Sequence, residues 1–139
     1  MSAWFDQGMF LGMADFEAGN YYEQWYTDGH CLLPVGTVES LLQQVDHMST
    51  FKALLVLTSA SAKGVRAHAD IALRVLLRCD DAGGRYSAIR LLKEASDLTE
   101  HHVAEVGRYA RSRPDSVLDS VVADLQAAWT RRAGAARRF

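Results

Sequence analysis

The chain has little of what usually betrays a chemical activity. Its 139 residues include only two cysteines and two prolines. The longest unbroken apolar run is Ala53 to Leu57, far short of the ~20 residues a helix needs to cross a bilayer, so a membrane span is excluded. No G-x-x-x-x-G-K cradle, H-E-x-x-H pair or C-x-x-C pair is present, which removes the common phosphate-binding and zinc-binding arrangements. Cofactor and metal are both expected to be none. The start, Met-Ser-Ala-Trp-Phe-Asp, lacks the basic region of a signal peptide, so the expected setting is cytoplasmic, or the chain begins at a mature end. Basic residues are missing from the whole front: from Met1 to Phe51 there is no lysine or arginine, against seven acids.

What is there is apolar enough to fold. Hydrophobic residues make up 49% of the chain and the net charge is only −2, which places it among ordinary globular proteins. All 15 basic residues follow Phe51, and the chain ends in an arginine-rich stretch containing Arg131, Arg132, Arg137 and Arg138. Charge separated in this way suits a basic partner for the front half or head-to-tail contacts, although small proteins also vary in charge along their length.

Periodicity is helical nearly throughout, and the fold class is all-α, a multi-helix orthogonal bundle of about six to seven helices. A first helix is expected from Ser2 to about Gly19, with Gly8 and Gly12 one turn apart leaving a groove for a neighbouring helix. Asp28-Gly29 marks a turn after an aromatic stretch. Thr37 suits a helix N-cap, followed by a helix from Val38 to about His47; Ser49 or Thr50 caps the next, which the Ser/Ala stretch from Thr58 to Gly64 interrupts. Val65 to Arg78 forms a fourth. After the Asp80 to Gly84 break come three more, the last with Leu118, Val121, Val122, Leu125 and Trp129 on one face and ending at Gly134. The expected organisation is one helical domain over 1–130, with additional helices over 84–130 and a frayed basic tail over 131–139.

Each catalytic constellation lacks a partner. Cys31 beside His30 has no oxyanion loop, Asp15 and Glu17 diverge on a helix, and His101-His102 with Glu105 offers only half a metal site. An arginine face formed by Arg108, Arg111, Arg113 and the tail would suit nucleic acid, yet the sequence pI is about 6.2, so that partner is disfavoured. Cys31 and Cys79 bracket a long segment, and spacing alone leaves a disulfide and two buried thiols level.

The order Gly8-Met-Phe-Leu-Gly12-Met-Ala-Asp15, then Cys31-Leu-Leu-Pro34-Val-Gly-Thr37, then Leu41-Leu42 and Val45, then an Ala/Leu-rich helix ending in Cys79, resembles the Tai/Rap-type immunity proteins of type VI secretion amidase effectors. The resemblance covers about residues 8–79. It implies a small helical periplasmic protein, often a homodimer, that neutralises a peptidoglycan amidase by blocking its active site, and a structural disulfide between Cys31 and Cys79. Met9 stands where that family commonly has another cysteine, and nothing in 80–139 has a counterpart.

The functional expectation is therefore binding, not catalysis: an inhibitory or immunity protein acting on a secreted toxin. The partner-binding surface is expected at Asp15, Glu17, Tyr22, Glu23, Trp25 and Asp28, since Tyr and Trp make low-entropy anchors, although such aromatics are more often core. The alternatives are a cytoplasmic scaffold or nucleic-acid-associated factor using the arginine-rich end, and a small helical stress chaperone.

Overall fold

A computed structural model describes residues 5–137, and among these the chain is all-α apart from one two-stranded hairpin. The elements are α1 (Gln7–Gly12), α2 (Asp15–Gln24), β1 (Tyr26–Thr27), β2 (His30–Cys31), α3 (Val35–Leu42), α4 (Thr50–Ala62), α5 (Ala69–Arg78), α6 (Ala82–Glu94), α7 (Glu100–Arg111) and α8 (Ser116–Arg137). A short 3-10 turn at Val45–His47 links α3 to α4. The chain divides into two compact units, Met1–Val65 and Arg66–Phe139. The division falls inside the 8–79 span of the family resemblance. It assigns α5 to the second unit, because that helix packs on α6 and α7.

The first unit departs most from the expected pattern. The single helix expected over Ser2 to Gly19 is two helices: Asp6 caps α1 by accepting the Met9 N–H, and the backbone is extended at Met13 and Ala14 before α2 begins. The proposed Gly8/Gly12 groove is not occupied. A Cβ on Gly12 would meet nothing within 4 Å, and one on Gly8 would meet only the Asp6 carboxylate. After α2, Asp28 and Gly29 both take positive φ, 50° and 78°, and close an antiparallel hairpin pairing Tyr26 with Cys31. Asp-Gly is a favoured pair for a turn of this hand, which matches the twist of the strands it joins. α4 lies against α2, α3 and the hairpin. Ser49 caps it, accepting the Lys52 N–H. The Ser/Ala stretch does not end it at Thr58; the helix reaches Ala62, and the positive φ of Gly64 stops it, a position glycine occupies without steric cost.

The second unit is closer to expectation. Four helices bury one stripe each: Ala69, Ala72, Val75 and Leu76 from α5, Ala88, Ile89 and Leu92 from α6, Val103 and Val106 from α7, Leu118, Val122 and Leu125 from α8. Cross-helix polar pairs fasten the rims. Tyr86 donates to Asp115 at 2.8 Å, Arg85 to the Tyr109 hydroxyl at 3.0 Å, and Lys93 pairs with Asp124 at 2.6 Å. α8 runs through Gly134 to Arg137 instead of fraying from residue 131. Arg132 anchors this extension by donating to the carbonyls of Ala95, at 3.0 Å, and Lys93.

Candidate functional site

The six residues expected at the partner surface separate into two groups. Asp15, Glu17, Glu23 and Asp28 are exposed; Tyr22 and Trp25 turn inward. Trp25 is 0% exposed and stands at the centre of an aromatic cluster, with Phe5, Phe10, Tyr21 and Tyr22 ring centroids 5.2 to 5.8 Å away. Its indole N–H donates to Ser59 Oγ at 3.1 Å, and Tyr22 donates to the Tyr26 hydroxyl, which lies 3.1 Å from the same serine. Burial and the Tyr26 hydroxyl push the Tyr22 phenol above its ordinary value. Aromatic residues cannot be sorted into anchors and core by type alone, and here the apolar bodies fill the centre of the unit while the polar tips join one chain of hydroxyls through Tyr26 and Ser59. Trp25 is therefore a core residue, not a contact residue, and Tyr22 is part of its polar network.

The carboxylates tell a different story. All seven acids of the first unit, namely Asp6, Asp15, Glu17, Glu23, Asp28, Glu39 and Asp46, are exposed. The unit's two lysines are directed at backbone carbonyls: Lys52, itself buried, donates to Leu11 at 2.9 Å, and Lys63 to Cys31 at 3.3 Å. The surface charge of this unit is thus almost entirely negative. Within it, α2 presents Asp15, Phe16 and Glu17 in its first turn, where carboxylates also suit the positive helix end. Phe16 is 79% exposed, a large ring left in water beside two acids. Phe51, also exposed, lies against Gly19 one turn along; a Cβ on that glycine would come 3.3 Å from the Phe51 ring. Phe16 was not among the expected contact residues because its apolar character reads as core in a helical pattern.

The cysteines do not pair. Both thiols are free and buried, which corrects the disulfide that the resemblance implies. Cys31 belongs to the hairpin of the first unit. Cys79 closes α5 in the second unit and fills the corner beneath α6, so tightly that a Cβ on Gly84 would lie 3.3 Å from its Sγ. Burial raises the Cys79 thiol pKa, with Asp81 adding to the effect. That keeps it protonated and unreactive near neutral pH. Thiol titration is expected to find two thiols per denatured chain, and intact mass should be unchanged by reductant.

The histidines and arginines are largely committed to structure. His102 is buried; its Nδ1 accepts the Thr99 backbone N–H at 2.9 Å and its Nε2–H donates to Asp70 at 2.6 Å. That hydrogen bond holds the Asp70 carboxyl below its ordinary range. The Thr99, His102 and Asp70 run looks like a hydroxyl–imidazole–carboxylate relay, but the imidazole lone pair is spent capping α7 and cannot take a proton from the threonine without breaking the cap. Glu105 is taken by Arg108 at 2.5 Å, so the His101, His102 and Glu105 half-site is not assembled. No group of three or more metal-ligating side chains occurs among the described residues. Of the arginines in the candidate nucleic-acid face, Arg113 stacks on Tyr109 at 3.8 Å and Arg132 caps carbonyls; Arg138 lies outside the described residues. No family model, curated protein or solved structure matches the chain.

Proposed function

We propose that this chain is a protein-binding inhibitor of the immunity type, which docks the acidic face of its first unit onto a basic protein surface and works by covering it, without catalysis of its own. The observation that carries this reading is the one-signed surface: seven exposed carboxylates with both lysines of the unit turned onto carbonyls. So much exposed charge of one sign costs self-repulsion, and it speeds the approach of an oppositely charged partner. Phe16, flanked by Asp15 and Glu17, supplies what charge alone cannot, an apolar anchor at the middle of a polar rim. A peptidoglycan amidase toxin, the partner class implied by the family resemblance, is the first candidate target, and its neutralisation would place the protein in the periplasm.

The test is inhibition. Purified peptidoglycan amidase toxins are incubated with the chain and cell-wall hydrolysis is followed. A cognate enzyme should lose activity, and the variant carrying Asp15→Lys, Glu17→Lys and Glu23→Lys should need at least tenfold more protein for the same inhibition, with an unchanged helical circular-dichroism spectrum. Phe16→Ala should weaken inhibition without removing its salt dependence. Inhibition equally strong in the triple reversal would remove the acidic face from the mechanism. Salt-sensitive retention on generic DNA, lost when Arg111 and Arg131 are replaced, would favour the nucleic-acid reading instead.

A further inference from the structure

Apart from the acidic face, the second unit carries a groove that none of the roles described above uses. It lies between α7 and α8, with a volume of about 360 Å³, within the range of roughly 300–1,000 Å³ typical of small-molecule sites. The buried Val103 and Gly107 line its floor on α7, Trp129 lines it from α8, and Arg111 and Gln126 supply polar groups, with Glu100 at the start of α7. The spacing of Val103, Gly107 and Arg111, four residues apart, places them on one face of α7. Glycine is expensive inside a helix, and here its missing side chain keeps the floor low: a Cβ at Gly107 would project toward Gln126 Nε2 at 3.6 Å. Three donors line this space without a hydrogen-bond partner among the described residues: the Arg111 guanidinium, the Gln126 amide and the Trp129 indole N–H. The neighbouring Arg108, by contrast, is neutralised by Glu105.

We infer that this groove binds a small organic anion with a flat apolar body, the ring lying against Trp129 over Gly107 and the acid group on Arg111. Charge complementarity selects the acid: three donors, one of them the Arg111 cation, line the space against the single carboxylate of Glu100. The flat wall and the glycine floor select a planar body, since an aromatic face offers its best contact to another ring.

The probe is 8-anilinonaphthalene-1-sulfonate, with neutral N-phenyl-1-naphthylamine as its uncharged counterpart. Saturable one-site binding to the full chain is expected by fluorescence and calorimetry, with the neutral compound at least tenfold weaker. Arg111→Glu, an exposed position, should lower affinity at least tenfold, and Gly107→Leu should abolish binding by filling the floor. Gly107→Ala separates the site from the fold: its Cβ makes only an ordinary contact, so the protein should melt higher than the parent while binding the sulfonate more weakly. No saturable binding, equal affinity for the neutral compound, or an unchanged affinity in Arg111→Glu would each overturn the assignment.

Discussion

Replacing Trp25 by alanine is expected to cost about 3–5 kcal/mol of stability, the range for emptying a large aromatic site from a core. The figure belongs at the upper end of that range for two reasons. Trp25 is fully buried and touches four other rings, so truncation opens a cavity whose walls are rigid and collapse poorly. It also removes the donor that meets Ser59 Oγ at 3.1 Å, leaving that hydroxyl bonded only to the Tyr26 hydroxyl and the Leu55 carbonyl. Against a total stability of about 5–15 kcal/mol for a typical domain, such a loss brings the first unit close to unfolding. Guanidinium titration followed by circular dichroism measures it. Trp25→Phe keeps the ring and loses the donor, and should cost no more than about half as much. If Trp25→Ala unfolded at the parent's midpoint, the aromatic cluster would not be the core of this unit. The comparison also decides how a loss of partner binding is read. Binding lost in Trp25→Ala reports unfolding, whereas binding lost in Glu17→Lys with the midpoint unchanged reports the surface.

The second large effect is a dependence on pH centred on His68. This side chain is 1% exposed, and neither ring nitrogen has a hydrogen-bond partner among the described residues. Burial pushes its pKa below the ordinary value of 6.5, opposed more weakly by its own backbone and by the carboxylates of Asp97 and Glu94, and assisted by Arg66. The folded chain therefore holds the neutral imidazole, while the unfolded chain takes up a proton near pH 6.5. Stability is fully present above that pH and falls as the pH drops from 6.5 toward the depressed folded value, because the unfolded state binds more protons in that window. His68→Leu removes two unpaired buried nitrogens, each class of loss being worth about 1–3 kcal/mol. It should leave stability at pH 7.5 equal or higher, and the advantage over the parent should widen between pH 6.5 and 5. Urea titrations of the two proteins at pH 5.0 and 7.5 give the four numbers required. A parent whose stability rises on acidification through this range would contradict the assignment, as would a His68→Leu variant with an undiminished slope.

The parts of the molecule that were legible in the sequence are those whose signals are local. α7 and α8 carry an unbroken apolar stripe, a Thr99 cap and a proline between them, and the expected helices lie where the stripes are. The break between α1 and α2 was not legible, because Met9 to Phe16 keeps helical spacing straight through it. What ends α1 is the extended backbone at Met13 and Ala14, and neither residue type announces that conformation. Non-local caps were invisible for a related reason. The first N–H of α5 is taken by Asp97, which accepts from Ala69 at 3.0 Å across 28 residues of sequence, and nothing near His68 points to it. The candidate surface was half legible. Acids declare themselves as exposed because burying them unpaired is prohibitive, so Asp15, Glu17, Glu23 and Asp28 fell on the right side of the boundary. Phe16 and Trp25 did not, since a ring on a helix is equally consistent with either side, and only packing decides. The cysteine pairing that the resemblance implied failed; spacing alone leaves bond and free thiols level, because it says nothing about what encloses each thiol.

The contiguity of the two units bears on how the chain is made. Among the described residues, the rings that meet Trp25 and the serine that its indole N–H reaches lie between Phe5 and Ser59. No part of that cluster waits for residues encoded later. Synthesis proceeds at roughly 5–20 residues per second, with N-terminal domains emerging first, so the residues of this cluster are all made several seconds before the arginine-bearing remainder is finished. The acidic body and its exposed phenylalanine are thus complete in sequence before any of the arginines is made.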